Sequence, residues 1–247
     1  MDCVVIKNQK KVILITGVSS GLGNSILKDF SKLDYNLAVC SRKIDFLKKN
    51  YQNKKNIFFL KVDVRKEKEV KNFVKKTLNK FGRIDVLINN AGYAFNSKFE
   101  DIKTNLLDQL FKTNLYAPFY FIRECLPIMK KQNYGRIINI SSGGSINCAK
   151  NYSAYSASKA ALNTLAKSLK NEIENLDIKI NTLSPGPIKT KMFPKNKLSP
   201  NLCLPTIKYL INLKKDGPSG DFFWFKKKIN IIPNLKINWG KPKQKSK

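Results

Sequence analysis

Apolar residues recur along this chain in short continuous runs, and the stretches between the runs repeat at helical spacing. Val12-Ile13-Leu14-Ile15 is the first run, as expected of a strand buried on both faces of a parallel sheet. Leu22, Ile26, Leu27, Phe30 and Leu33 then recur at intervals that place them on one face of a helix. Leu37 to Cys40, Ile57 to Leu60, Val86 to Ile88, Ile137 to Ile140 and Ile178 to Asn181 predict strands two to six, and Ser219 to Phe225 a seventh. The longest helical stretches run from about Leu115 to Lys131 and from about Ser153 to Leu176. Strands that alternate with helices of this length require crossovers, so the expected fold is α/β: a doubly wound, seven-stranded parallel sheet flanked by helices.

No Gly/Pro/Ser-rich linker, internal repeat or low-complexity tract divides the chain, so residues 1–240 read as one domain and the basic stretch 241–247 as a disordered tail. The opening MDCVVIKNQKKVILITG reads as neither a signal peptide nor a membrane span, and no later run reaches the ~18 apolar residues a span needs. Cys3, Cys40, Cys125, Cys148 and Cys203 are scattered with no CxxC pair, which points to reduced thiols in a cytoplasmic protein.

Composition changes the picture in two ways. The chain holds no His, which removes a His general base, a Ser-His-Asp triad and any His-ligated metal, so no metal site is expected. The formal charge is +30, from 47 Lys+Arg against 17 Asp+Glu. Such a charge raises the question of nucleic acid. Yet the arginines are only Arg42, Arg65, Arg83, Arg123 and Arg136, and the lysines are spread along the whole chain instead of gathering in a groove-reading element. Drift toward Lys, Asn and Ile is the preferred explanation, with a nucleotide- or nucleic-acid-binding protein as the non-enzyme alternative.

The candidate chemistry begins where the first strand runs into Thr16-Gly17-Val18-Ser19-Ser20-Gly21-Leu22-Gly23 and then a helix. Between a strand and a helix such glycines have mechanical uses: Gly17 for the tight turn, Gly21 for close approach of a pyrophosphate, and Gly23 for close packing of helix on strand. The helix N-terminus would then face the phosphates. After strand two, where an acid would bind the ribose hydroxyl of NAD, the chain has Ser41-Arg42-Lys43 and no acid between Asp34 and Asp45. An Arg there suits a 2'-phosphate, so NADP(H) is the expected cofactor and NAD(H) the second option. Far downstream, Tyr155 and Lys159 stand at i and i+4, neighbours on one helical face. An ammonium held beside a phenol would lower the phenol's pKa and make it a usable acid.

Together these stretches make the chain resemble the short-chain dehydrogenases/reductases of about 250 residues, over residues 10–225 or so. TGVSSGLG at Thr16, Asp63 after strand three, NNAG at Asn89, Asn114 within KTNLYAPF, NISS ending at Ser142, YSASK at Tyr155 and PGPIKT at Pro185 occur in that family's order. The resemblance implies a Rossmann fold and a catalytic set of Asn114, Ser142, Tyr155 and Lys159, with Ser141 as the alternative to Ser142. It implies that Thr16, Gly17, Ser19, Ser20, Gly21, Leu22, Gly23, Ser41 and Arg42 hold the cofactor. Asp63 and Val64 would hold its adenine, Asn90, Ala91 and Gly92 would lie beside it, and Pro185, Gly186, Ile188 and Thr190 would lie at its nicotinamide end with Tyr155 and Lys159.

The implied activity is hydride transfer between NADP(H) and a small-molecule carbonyl or alcohol, carbonyl-reductase-like, with a 3-oxoacyl-carrier-protein reductase or an alcohol or sugar dehydrogenase as alternatives. A homodimer or homotetramer built on the two long helices is also implied. Only about a dozen residues, Lys191 to Asn201, stand where many relatives carry a long substrate-covering segment. That short lid is expected to leave an open, permissive site.

Overall fold

The computed structural model describes residues 10–231. In chain order its regular elements are β1 (Val12–Thr16), α1 (Gly21–Phe30), β2 (Asn36–Ser41), α2 (Asp45–Asn50), β3 (Ile57–Lys61), α3 (Glu67–Phe81), β4 (Val86–Asn89) and α4 (Thr104–Phe111). They continue with α5 (Ala117–Gln132), β5 (Gly135–Ile140), α6 (Gly144–Asn147), α7 (Ser153–Glu172), β6 (Ile178–Ser184), α8 (Leu204–Ile211), β7 (Phe222–Trp224) and β8 (Lys227–Ile229).

The strands form one sheet in the order β3-β2-β1-β4-β5-β6-β7-β8. From β3 to β7 every pairing is parallel. Alternation along β1 sends Ile13 and Ile15 into one apolar layer and Leu14 into the other, because successive side chains leave a strand on opposite faces. Ile26, Leu27 and Phe30 of α1 and Ile207, Leu210 and Ile211 of α8 cover the first layer. Val70 and Phe73 of α3, Phe121 and Cys125 of α5, and Ala166 and Leu169 of α7 cover the second. Phe73 is fully buried and packs against both Phe58 and Phe121. Burial of each such side chain stabilises the fold by roughly 1.5–3 kcal/mol.

Three sequence expectations need correction. The sheet has an eighth strand, because Phe225 and Lys226 turn the chain so that Lys227–Ile229 pairs antiparallel with β7. Its lysines are exposed, which is how an edge strand discourages further pairing. The helix expected from Leu115 to Lys131 is α5 preceded by one π turn, Lys112–Tyr116, and the helix expected to reach Leu176 ends at Glu172. The expected tail at 241–247 lies outside the described residues, as does Cys3. Among the described residues no helix is long and apolar enough to cross a membrane.

Sheet order matters most at one place. β1 lies between β2 and β4, so the crossovers leave its carboxyl end in opposite directions, and a crevice opens there.

Candidate active site

At that crevice the ends of β1 and β4 are tied together. Thr16 Oγ1 accepts from the backbone N–H groups of Asn90 (3.0 Å) and Ala91 (2.9 Å), and Asn90 Nδ2 donates to the carbonyls of Thr16 (2.8 Å) and Gly17 (3.1 Å). Gly17 turns at φ +74°, and a Cβ there would lie 2.8 Å from Ala91 Cα. Gly23 is closer still: its Cβ would meet both Gly17 O and Asn90 Nδ2 at 2.4 Å, so α1 packs on the turn as only glycine permits.

The N-terminus of α1 is available to an anion. Ser20 makes no side-chain cap there, and no acidic residue occupies the first turn. Helix N-termini bind phosphate through free N–H groups and the helix dipole. Arg42 follows β2, exposed and with no ion pair among the described residues, while Asp63 and Arg65 follow β3. Arg65 grips the Asp63 carboxylate through Nε (2.9 Å) and Nη2 (2.6 Å). That hydrogen bonding holds the carboxyl below its usual range, and the nearby charge of Arg42 acts the same way.

At the other end of the crevice, β5 delivers two serines with separate surroundings. Ser141 is buried and its hydroxyl donates to Asn163 Oδ1 of α7 (2.6 Å). Asn163 Nδ2 in turn donates to Ser145 Oγ (2.9 Å), which donates to the carbonyl of Ser142 (2.6 Å). This chain of bonds fixes the turn between β5 and α7. Ser142 Oγ accepts from Gly144 N–H (3.0 Å) and is hydrogen-bonded to the Tyr155 phenol.

Tyr155 and Lys159 lie one turn apart on the buried side of α7. Lys159 Nζ donates to the Ile140 carbonyl (2.7 Å), and burial pushes its ammonium down to about 8. The expected lowering of the phenol by Lys159 is absent. Burial raises the Tyr155 pKa, the bond from Ser142 pulls it back, and Tyr152 pushes it up. The ammonium donates to a backbone carbonyl instead, so helical spacing did not translate into a charge acting on the phenol. Asn114 is fully buried in the π turn, where its side chain accepts from Tyr93 N–H (2.8 Å) and donates to Tyr93 O (2.8 Å) and Ser158 Oγ (3.0 Å).

One cleft of about 330 Å³ joins both ends, a size typical of ligand sites. Its lining includes Gly17, Ser19, Ser20, Gly21, Leu22, Ser41, Arg42, Asp63, Val64, Asn90, Ala91, Gly92, Ser142, Tyr155, Lys159, Pro185, Gly186, Ile188 and Thr190. Three residues expected at the site stand behind the wall instead: Thr16 braces two strand ends, Gly23 lies beneath the turn, and Asn114 holds the Tyr93 backbone.

The cleft also contains residues that sequence reasoning missed. Arg65 could have been found from its position two residues after Asp63, and Tyr93 from its place directly after NNAG. Gln109 and Thr113 reach the cleft from α4 and the π turn, one helical turn apart. Met192 and Phe193 had no signal, since nothing in the lid's sequence says which way it folds. The short lid does not leave Tyr155 open. Phe193 N–H donates to Thr190 Oγ1 (3.1 Å), Lys189 N–H to Leu198 O (2.7 Å) and Asn196 Nδ2 to Ile188 O (3.2 Å), and the Phe193 ring rests edge-on against Tyr155 at 6.1 Å.

Comparison with known proteins agrees with this geometry. A family model described as short chain dehydrogenase matches residues 11–200. An uncharacterized oxidoreductase of Staphylococcus saprophyticus is 32% identical over 193 residues, 76% of this chain and 82% of the relative. Among solved structures, ElxO with NADP bound is 29% identical with a TM-score of 0.80, covering 88% of this chain and 97% of the other. A structure described as a putative 3-oxoacyl-reductase from Bacillus thuringiensis is 26% identical with a TM-score of 0.80, covering 87% of this chain and 96% of the other.

Proposed function

This chain belongs to the short-chain dehydrogenase/reductase family of oxidoreductases, and from that premise we propose that it transfers hydride between NADP(H) and a small-molecule carbonyl or alcohol. The observation that carries the proposal is the cleft itself. One end offers a helix N-terminus and Arg42, and the other brings the Ser142 hydroxyl onto the Tyr155 phenol with Lys159 one turn away.

The residues present fit the dinucleotide. Gly17, Gly21 and the first turn of α1 would hold its pyrophosphate, Arg42 its 2'-phosphate, and Asp63 with Val64 its adenine. Ile188 and Thr190 would hold the nicotinamide end, and Lys159 the adjoining ribose. When bound, the nicotinamide supplies the hydride that a carbonyl carbon accepts.

The protein's own groups handle the oxygen. Ser142 donates a hydrogen bond to the carbonyl oxygen and stabilises the negative charge that grows there. Tyr155 gives that oxygen its proton. Burial raises the phenol's pKa, so Tyr155 is protonated at neutral pH, as an acid in the reducing direction needs to be. Asn114 is a positioning residue: it fixes the Tyr93 backbone and the Ser158 hydroxyl, which itself bonds the carbonyl of Tyr155 at 2.7 Å.

Replacing Tyr155 by Phe tests the reading. The ring and its packing stay, so NADPH affinity by titration calorimetry should hold while turnover on every carbonyl falls by ~10²- to 10⁴-fold. Near-normal turnover in the variant would refute the assignment. The Bacillus thuringiensis neighbour makes 3-oxoacyl thioesters the second substrate class to assay.

A further inference from the structure

The substrate end of the cleft is built from rings. Phe193 leans on Tyr155 (6.1 Å) and on Tyr152 (6.0 Å), and Tyr152 meets Tyr155 at 6.3 Å, so the three rings pack mutually. Tyr93, whose backbone Asn114 clamps, lines the cleft with Phe193 and packs against Phe95 at 6.1 Å. Leu110 and Ala154 lie under this group, fully apolar and buried. Charge is sparse here. Of the charged residues lining the cleft, Arg42, Asp63 and Arg65 follow β2 and β3 at the far end, which leaves Lys159 and Lys191. Phe193 is only part-buried, and it is held by the lid's own hydrogen bonds to Thr190 and Asn196.

From this arrangement, and resting on the oxidoreductase reading above, we propose that the substrate is a planar carbonyl, aromatic or conjugated, and that Phe193 is the residue that selects it. Ring faces and edges favour offset or edge-on contact with another ring beyond the gain from burying area. A polyhydroxylated substrate is disfavoured here, because each hydroxyl left unpaired against ring carbons costs on the order of tenfold or more in affinity. A flexible open-chain acyl group would bury comparable area but lose rotamer freedom in doing so.

The test compares a planar ketone with its saturated counterpart, acetophenone against cyclohexyl methyl ketone, with acetoacetyl thioester and a ketose as further competitors. By NADPH absorbance, kcat/KM should favour acetophenone over the cyclohexyl ketone by about tenfold, equivalent to ~1.4 kcal/mol. Saturation-transfer NMR in the presence of NADP+ gives a readout without turnover, and should show the aryl protons of acetophenone in contact and a weaker response from the cyclohexyl ketone. Phe193→Leu should reduce the ratio to about twofold or less, and Phe193→Tyr should restore it. Equal use of the two ketones, preference for the acyl thioester or ketose, or a ratio unchanged in Phe193→Leu would overturn the proposal while leaving the oxidoreductase reading intact. No NADPH oxidation with any carbonyl would defeat the parent reading instead, and aryl-ketone contact in the NMR experiment would then decide this one separately.

Discussion

Ser141 and Ser142 are adjacent in sequence and should behave as different kinds of residue when each is replaced by Ala. In Ser141→Ala, Asn163 Oδ1 loses the hydroxyl that donates to it at 2.6 Å, in a place where Ser141 is 2% and Asn163 5% exposed. A buried acceptor left without a donor costs ~1–3 kcal/mol. For a domain of this size each kcal/mol shifts the melting temperature by roughly 2–4 °C, so a drop of about 2–12 °C is expected. Turnover should remain within the same order of magnitude, because Ser142 still bonds Tyr155. Ser142→Ala should do the reverse. Its hydroxyl is part-exposed, and water can replace it at Gly144 N–H, so the melting temperature should barely move. Loss of a donor to the developing oxyanion lowers kcat by ~10²- to 10³-fold. Thermal melts by circular dichroism and NADPH oxidation at saturating cofactor measure both quantities. If Ser141→Ala lost rate as Ser142→Ala does, or melted like the wild type, the division of roles drawn from these hydrogen bonds would be wrong.

Gly23→Ala should destabilise the protein by ~1–3 kcal/mol and weaken NADP binding, since its Cβ would lie 2.4 Å from Gly17 O; Gly82→Ala, with nothing within 4 Å, should cost only the ~1 kcal/mol of its left-handed φ and leave binding alone, as melts and calorimetry can show. Wild type should bind NADPH more tightly than NADH by calorimetry, and Arg42→Asp should move the preference toward NADH by roughly 10- to 100-fold through loss of a charge-assisted phosphate contact; equal affinities in the wild type would refute the assignment. Burial depresses the Lys159 ammonium to about 8, below its unfolded value of ~10.4, so between those pH values the unfolded chain holds more protons and this group's contribution to stability rises with pH. Relative to Lys159→Met, the wild type should gain up to about 3 kcal/mol between pH 7.5 and 10.5 in urea titrations, and a flat difference would contradict the burial argument.

How much of this protein is legible without its tertiary structure depends on the range of the physics involved. Apolar runs such as Val12 to Ile15, separated by helical periodicity, specify strands and crossovers from local pattern alone, and parallel pairing follows because a helix between two strands carries the chain back to the same end of the sheet. The glycine turn is equally local: Gly17 at φ +74° and Gly21 at φ +55° adopt backbone that other residues resist. Helical spacing likewise put Tyr155 and Lys159 on one face.

Contacts between distant segments were not legible in that way. Spacing could not reveal that Lys159 would turn to the Ile140 carbonyl, or that burial would raise Tyr155 instead of a neighbouring charge lowering it. The family resemblance favoured Ser142 over Ser141, but only packing shows what Ser141 does instead, since its partner is Asn163 of α7. Phe193 gave no sign that the lid would lay it on Tyr155, and Lys227–Ile229 was not among the expected strands, because a two-residue turn is what pairs it with β7. Backbone conformation and side-chain periodicity are written into neighbouring residues. Desolvation, hydrogen-bond partners and ring contacts exist only once segments tens of residues apart are packed together, and in this protein those are what turn a nucleotide-binding scaffold into a site.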